Sequence, residues 1–392
     1  RLKPGPTSGG TSPPLPCPAL YRNVPAQALY SMTGHNLFGK LLKRRIVNSN
    51  SPERTPRKRQ SRTPTFDADV LPGQIAEPGV AEEEAPKRQQ SQALLVEDEC
   101  THLRWDKVLA GRSASTLSPD ELRALEDTSM PLKHRHALWP QWFIAPDIGD
   151  LGEADSSVAP DVADAIDRDL GRTRPQSFGP QERASLRRVL RAYAAANPSV
   201  GYCQGMNNIA ATFIALGFDD ATALSGCYTM LQGCCPGYHD SSLAGFRLDA
   251  QVLAALVKKV LSKETQQRLE MLDVPLEALA SEHFLTLASK SWPLATTARL
   301  WDVILREGSP AVFASFLAML NLFLPDEKAM ACERKLSPVG EEPEPVDIFR
   351  SRVRRCSAQD SDALLREVRR LLPLVPQKTI NQLRFNLVGK KC

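Results

Sequence analysis

Apolar residues recur at helical spacing through most of the chain after residue 98. Val162, Ile166 and Leu170 are four residues apart, which places them on one face of a helix. This helix is predicted to end at Gly171, a poor helix former, because Pro175 also disfavours helical angles in the residue before it. The same period predicts helices over residues 181–196, 201–216, 221–231, 248–260, 311–324 and 361–372, and one that Ser118 opens as N-cap. No run alternates as a half-buried strand would, so the predicted fold class is all-α.

Residues 1–97 lack this periodicity. Thirteen of the chain's 31 prolines lie before residue 90, and twelve Lys or Arg stand against one acidic residue between Arg1 and Arg62. Low hydrophobicity with high local charge cannot offset chain entropy, so we expect a disordered, basic, Pro-rich arm. We expect a folded domain over residues 98–372, in which 325–360 are a loop with an acidic segment, and a C-terminal tail over residues 373–392.

The basic arm supports three interpretations. It is a solvated linker without a specific partner, an electrostatic attachment to an anionic membrane surface, or a nuclear-import or nucleic-acid patch. No aromatic residues alternate with the charges, which argues against stacking on bases. Nucleic acid is therefore the least favoured of these partners.

The remaining composition is ordinary for a globular chain, with 42% hydrophobic and 24% charged residues and a net charge of +4. The nine cysteines include no C-x-x-C pair and no histidine partner at zinc-ligand spacing, so we expect reduced thiols, no metal site and a cytoplasmic protein. No apolar run approaches the length of about 18 residues that spans a bilayer, and no signal-peptide pattern opens the chain. The phosphate-binding G-x-x-x-x-G-K-[ST] loop and the hydrolase motifs G-x-S-x-G and H-E-x-x-H are also missing from the sequence.

Two short motifs carry the candidate chemistry. They read Ile166-Asp167-Arg168-Asp169-Leu170-Gly171-Arg172-Thr173 and Tyr202-Cys203-Gln204-Gly205-Met206-Asn207. Arg172 stands where the predicted helix gives way to a loop, which suits an arginine that reaches into another protein, and Asp169 can steady it. Gln204 is predicted in the first turn of the helix over residues 201–216, where Gly205 lets other backbone come close.

Further motifs flank these two. Arg135 and Trp139 are i, i+4 on one helix face, where the guanidinium stacks on the indole ring or pairs with an acid inside the bundle. The segments Glu282-His283-Phe284-Leu285-Thr286-Leu287 and Leu300-Trp301-Asp302-Val303-Ile304-Leu305-Arg306-Glu307-Gly308 follow. Over residues 118–372 the chain resembles the TBC domain, the GTPase-activating module for Rab-type small GTPases, in its I-x-x-D-x-x-R and Y-x-Q-G signatures. His283 and Ala288 depart from that pattern, where tryptophan and phenylalanine are common.

The resemblance implies an all-helical domain that supplies an arginine finger, Arg172, and a glutamine finger, Gln204, to the partner in trans. It implies supporting or partner-binding roles for Ile166, Asp169, Thr173, Tyr202, Gly205, Met206, Asn207 and Arg135. It also implies that the chain holds no cofactor, because GTP and magnesium belong to the partner GTPase. The protein is then a GTPase activator and not an enzyme with a GTP site of its own.

The predicted partner is a GTP-bound Rab-type GTPase, and the predicted setting is vesicle trafficking, in the cytoplasm and at the periphery of endomembranes. One alternative is a catalytically silent module that binds a Rab without accelerating it. Intact Arg172 and Gln204 argue against this, because a pure binder has no physical need for either. The other is an anionic-surface or nucleic-acid binder led by the basic arm, which predicts a steep salt dependence that survives deletion of residues 98–392.

Overall fold

The computed structural model describes residues 99–109, 112, 121, 129–144, 158–336 and 343–389. Within these ranges the chain forms helices and no strand, which confirms the predicted all-α fold class. The predicted arm over residues 1–97 and the helix start at Ser118 lie outside the described residues, and both stay predictions.

The described helices follow one another along the chain. They are α1 (Glu99–Leu109), α2 (Leu132–Trp142), α3 (Pro160–Leu170), α4 (Pro180–Ala196), α5 (Met206–Ala215), α6 (Asp220–Tyr228), α7 (Ala244–Val260), α8 (Lys263–Glu270), α9 (Leu276–Leu285), α10 (Leu294–Glu307), α11 (Ser309–Phe323), α12 (Glu327–Leu336), α13 (Pro345–Arg354), α14 (Ala358–Leu371) and α15 (Gln377–Gly389). A π-helix (Thr229–Cys234) continues α6, and a 3-10 turn (Leu372–Leu374) continues α14.

The core is built around two helices that are buried almost all round. In α5 every residue except Asn208 is buried, and in α11 every residue except Asn321 and Leu322. The amphipathic helices surround them, with α4 packed on α5 and α6, and α14 packed on α11. Such an arrangement follows from the sequence, because a helix without a polar face is stable only where others cover it. None of the described helices combines the length and apolarity needed to cross a bilayer.

The expected contact of Arg135 with an internal acid is present and fixes α2 to α10. Arg135 donates from Nε and Nη2 to the two carboxylate oxygens of Asp302, at 3.0 and 2.8 Å. Trp139 Nε1 donates to the same Asp302 at 2.9 Å, and its ring stacks on Phe218 at 5.7 Å between centroids. The Arg135 side chain is fully buried, so it supports the fold and does not reach a partner.

Two predictions about the C-terminal part are wrong. Residues 325–360, expected to be loop, contain α12 and α13. The Asp326 carboxylate caps the first turn of α12 at 2.8 Å, and Pro345 at the first helical position favours the start of α13. Residues 373–392, expected to be a tail, contain α15, which packs on α7 and buries Ile380. These helices are held by tertiary contacts that the acidic and Pro-rich local sequence does not reveal.

Candidate functional site

The first motif covers the last turn of α3 and the loop that follows it. The helix ends at Leu170 as predicted, so Arg172 lies in the loop, with its side chain 61% exposed. Asp169 is buried in the last turn of α3 and forms an ion pair with the Arg172 guanidinium. The arginine therefore stands at the surface with a buried carboxylate at its base.

Asp169 also connects the first motif to the second. The Tyr202 hydroxyl donates to its Oδ2 atom at 2.5 Å. Burial raises the pKa of Tyr202, and the hydrogen bond to Asp169 and that residue's negative charge raise it further. The phenol therefore stays protonated and remains a donor. One carboxylate thus contacts Arg172 from the first motif and Tyr202 from the second.

A second set of hydrogen bonds joins the two motifs through their backbones. Thr173 Oγ1 donates to the Asp169 backbone carbonyl at 2.6 Å and accepts from Asn207 Nδ2 at 2.7 Å. Asn207 Oδ1 accepts from the backbone N–H of Gly205 at 3.0 Å. Thr173 and Asn207 are buried, so these bonds satisfy polar groups that water does not reach. These hydrogen bonds consequently fix the loop after α3 and the turn before α5 relative to each other.

The second motif lies in a turn and not in a helix. α5 begins at Met206, and the residue before it, Gly205, has a φ of +122° that interrupts the helical path. The prediction that Gln204 occupies a first helical turn is therefore wrong. The close backbone approach expected at Gly205 does occur, because a Cβ there would lie 2.8 Å from the Leu285 carbonyl oxygen. Only glycine meets both the conformation and the contact.

Gln204 is exposed at the tip of this turn, whereas Met206 behind it is buried. The Met206 N–H donates to the Cys203 carbonyl at 3.2 Å, which closes the turn. Burial raises the pKa of the Cys203 thiol to about 11, so this thiol is a poor nucleophile at neutral pH. The chemistry that the turn offers to a partner is therefore that of the Gln204 carboxamide.

Two further residues of the motifs lie in the interior of the domain. Ile166 is fully buried and Met206 is 1% exposed, so both support the site by packing. The ion pair and the hydrogen bonds join Arg172, Asp169, Thr173, Tyr202, Gly205 and Asn207 in one network, and Gln204 precedes Gly205 directly, whereas Ile166 and Met206 are buried in the same segments. It places Arg135 apart from them, on Asp302.

Sequence reasoning missed Arg174. Its φ of +45° turns the loop back toward α5, where Nη2 donates to Thr212 Oγ1 at 3.0 Å. Burial lowers the pKa of Arg174 to about 10, so the guanidinium remains charged at neutral pH. The signal in the sequence was Pro175, which restricts the residue before it, but it did not indicate a left-handed conformation. Arg174 braces the Arg172 loop against a neutral hydroxyl of the core.

Sequence reasoning also missed His239, in the connection before α7. Its Nε2 atom lies 2.8 Å from the Leu285 carbonyl oxygen, the same oxygen that approaches Gly205. Burial lowers the pKa of His239 to about 4, so the ring is neutral and Nε2–H is the donor. No periodic or motif signal in the sequence pointed to this residue.

Chemically, the site presents a planar cation and a neutral carboxamide on two braced segments. The guanidinium of Arg172 can meet several anionic oxygens together, and the carboxamide of Gln204 can both donate to and accept from one water. Across the part of the chain that the structure describes, no cluster of His, Cys, Asp or Glu is placed to hold a metal ion.

Comparison with known proteins places this site in a recognised domain. Residues 150–327 match the model of the Rab-GTPase-TBC domain. Growth hormone-regulated TBC protein 1 of Xenopus laevis is 29% identical over 56% of this chain and 68% of its own length. Small G protein signaling modulator 3 of Homo sapiens is 28% identical over 74% of this chain, and the match spans 40% of that protein.

Solved structures share the fold. The Chlamydomonas flagellar RabGAP TBC domain superposes with a TM-score of 0.51 at 21% identity, covering 74% of this chain and 97% of that one. The Ypt/Rab-GAP domain of Gyp1p gives the same TM-score at 16% identity, covering 70% of this chain and 99% of that one. At these identities the likeness establishes the helical architecture.

Proposed function

Because the chain belongs to the TBC domain family, whose members activate Rab-type GTPases in general, we propose that it accelerates GTP hydrolysis by such a GTPase with Arg172 and Gln204 acting in trans. One observation carries the proposal. Arg172 and Gln204 are both exposed, and the segments that bear them are tied together through Asp169, Tyr202 and the Thr173–Asn207 hydrogen bond.

Arg172 supplies a positive charge that a small GTPase lacks for stabilising the transition state of phosphoryl transfer. Charge develops on the phosphoryl oxygens in the transition state, and an arginine donated in trans accelerates hydrolysis by about 10³–10⁵-fold. At about 1.36 kcal/mol per tenfold change, this corresponds to roughly 4–7 kcal/mol of transition-state stabilisation. Lysine would be a poor substitute because it lacks the planar fork of donors.

Gln204 orients the attacking water. Its carboxamide accepts a hydrogen bond from the water and donates one to it without adding charge next to the nucleotide. The fixed turn in front of α5 supports this role, because the Gly205 N–H and the Asn207 side chain hold the backbone behind Gln204. A preorganised group loses less freedom in the transition state than a mobile one.

The nucleotide and its magnesium ion belong to the partner in this proposal, and the chain acts as an activator without a GTP site of its own. The partner works at membranes, so the proposed location is the cytoplasmic face of endomembranes. The basic residues between Arg1 and Arg62 would add electrostatic attraction of about 1 kcal/mol for each side chain close to anionic lipid.

Single-turnover hydrolysis by a panel of GTP-loaded Rab GTPases tests the proposal. The wild-type protein should accelerate at least one of them, and Arg172→Ala should remove about 10³–10⁵-fold of the rate. Gln204→Ala should also lower the rate strongly. Matched controls are Arg168→Ala, an exposed arginine in the last turn of α3, and Gln176→Ala, an exposed glutamine in the loop that bears Arg172.

With either control variant, the partner GTPase should hydrolyse GTP as fast as it does with the wild-type protein. If the wild type accelerates a GTPase and Arg172→Ala retains the rate within a factor of about ten, the arginine-finger assignment is wrong, since one decade is only about 1.4 kcal/mol. If GTPases bind and none is accelerated, the chain is a silent binding module. Binding of anionic vesicles or nucleic acid that persists without residues 98–392 would instead favour the basic arm.

A further inference from the structure

Residues 236–243 connect the π-helix to α7 and are fastened to α7 by backbone and side-chain hydrogen bonds. The Gly245 N–H donates to the Gly237 carbonyl at 2.9 Å. Asp240 Oδ1 accepts from the backbone N–H of Ser242 at 2.9 Å and from that of Ala244 at 3.1 Å, which caps the start of α7. Residues 236–243 are therefore fixed to the start of α7, and a movement of α7 would move them as well.

Tyr238 ties the connection to the C-terminal helix through a shared carboxylate. Its hydroxyl donates to Asp249 Oδ2 of α7 at 2.6 Å. Arg384 of α15 donates to the same carboxylate from Nε at 2.7 Å and from Nη2 at 2.6 Å. The side chains of Asp249 and Arg384 are 2% and 16% exposed, so this ion pair is shielded from water.

The next residue carries the connection on to the Gln204 turn. His239 donates to the Leu285 carbonyl at the end of α9, at 2.8 Å. The same oxygen lies so close to Gly205 that an added Cβ would be 2.8 Å away. Because Gly205 directly follows Gln204, a shift of the Leu285 carbonyl toward Gly205 would displace the backbone that bears the glutamine.

We propose that Arg384 is a positioning residue for Gln204, acting through Asp249, Tyr238 and His239 on the Leu285 carbonyl, so that α15 sets the geometry of the glutamine turn. The kinetic consequence rests on the proposed function, whereas the structural coupling does not. A displacement of α15 would thereby change the rate of GTP hydrolysis that the protein stimulates. Phe385, 74% exposed on the same helix, lies next to Arg384 in the sequence.

Physical chemistry explains why Arg384 matters for this path. Removing one partner of a buried ion pair leaves an uncompensated charge, which recruits water or a proton and shifts its surroundings. Asp249 would keep the Tyr238 hydroxyl as donor, so the disturbance would reach residue 238 first. Side chains along such a path modulate coupling by about 0.5–2 kcal/mol, which corresponds to roughly two- to thirtyfold.

Amide hydrogen exchange by mass spectrometry tests the coupling without any GTPase. The variants are Arg384→Met, Arg384→Lys, which keeps the charge, and Tyr238→Phe, which keeps the ring. The control is Arg299→Met, because Arg299 is 12% exposed and binds Asp362 at 2.6 Å, away from this path. Arg384→Met and Tyr238→Phe should speed exchange by about two- to thirtyfold in peptides covering residues 236–243 and 203–206.

Arg384→Lys should recover part of the protection, and Arg299→Met should leave both peptides unchanged. Faster exchange at residues 236–243 with unchanged exchange at residues 203–206 would overturn the proposal. So would equal acceleration by Arg299→Met, because the effect would then be general destabilisation. Either result stands whether or not a GTPase is activated.

Single-turnover kinetics tests whether the coupling between Arg384 and Gln204 changes the rate of GTP hydrolysis. Arg384→Met should lower the maximal single-turnover rate by about two- to thirtyfold and leave the half-saturating concentration unchanged. It should have no further effect in a Gln204→Ala background and its full effect in an Arg172→Ala background. The same loss in both backgrounds would contradict a path through Gln204. If the wild type activates no GTPase, the proposed function fails and hydrogen exchange alone decides the coupling.

Discussion

Replacing Asp302 by alanine should destabilise the domain more than any comparable change at an exposed ion pair. The Asp302 carboxylate accepts three hydrogen bonds of 3.0 Å or shorter, two from Arg135 and one from Trp139. Both donors are fully buried. Without Asp302 the guanidinium would be a buried charge with no anion beside it, and the indole N–H would lose its acceptor.

The expected cost follows from this geometry. Breaking a buried ion pair by removing one partner costs about 3–5 kcal/mol in free energy of unfolding. In a folded domain of this size each 1 kcal/mol lowers Tm by about 2–4 °C, so Asp302→Ala should lower Tm by roughly 6–20 °C. Asp362→Ala is the matched control, because its pair with Arg299 is 47% exposed on the acid side. That variant should cost about 1 kcal/mol or less.

Urea unfolding followed by circular dichroism measures both variants. The double variant Arg135→Met with Asp302→Leu should recover the part of the loss that comes from the orphaned charge, because an apolar pair often replaces a buried ion pair without cost, while the Trp139 N–H still lacks its acceptor. If Asp302→Ala loses no more stability than Asp362→Ala, the pair is not shielded as the structure indicates. If the double variant is as unstable as the single one, the loss comes from packing and not from the orphaned charge.

Further predictions concern the site and the pH dependence of stability. Gly205→Ala should cost at least about 1–2 kcal/mol in unfolding free energy from its positive φ alone, and it should lower the rate of GTP hydrolysis by the partner. Gly171→Ala should change neither quantity, because an added Cβ there meets no atom within 4 Å. Tyr202→Phe should cost about 1.5–3 kcal/mol, the value of a hydrogen bond to a charged group, and urea unfolding that shows no loss would contradict the Asp169 contact. Burial lowers the pKa of His283 to about 3 in the folded protein, whereas its pKa in the unfolded chain is about 6.5. The contribution of His283 to the unfolding free energy is therefore constant above about pH 6.5 and decreases at lower pH, by about 2 kcal/mol at pH 5. His283→Phe should reduce this loss between pH 7.5 and 5, and an unchanged pH profile would contradict it.

The local sequence predicted the structure of the first motif well, because that structure depends on contacts between residues close in sequence. The end of α3 depends on Gly171 and Pro175, and the contact of Asp169 with Arg172 spans one helical turn. The helix-face pairing of Arg135 with Trp139 was predictable for the same reason, although the identity of their acid was not.

The rest of the site depends on contacts between distant parts of the chain. Gly205 adopts its positive φ beside the Leu285 carbonyl, and nothing in the local sequence around Gln204 reports that contact. The helix α15 was missed in the same way, because its anchor joins Arg384 to Asp249 across 135 residues. Periodicity predicts which face of a helix is buried, but not which distant residue covers it.

The ion pair of Arg172 with Asp169 raises the question of whether the carboxylate would hinder a finger that must reach a nucleotide. Arg172 is 61% exposed but Asp169 only 2%, so separating the two costs more than the roughly 0.2–1 kcal/mol of an exposed pair and at most the roughly 3–5 kcal/mol of a fully buried one. The proposed gain in the transition state is roughly 4–7 kcal/mol, from a rate factor of about 10³–10⁵, so Asp169 cannot hold the arginine back. When Arg172 leaves, the Tyr202 hydroxyl stays on Asp169 and the buried carboxylate keeps a donor. Asp169 therefore restricts the arginine before the encounter, and the cost of releasing it is smaller than the proposed gain in the transition state.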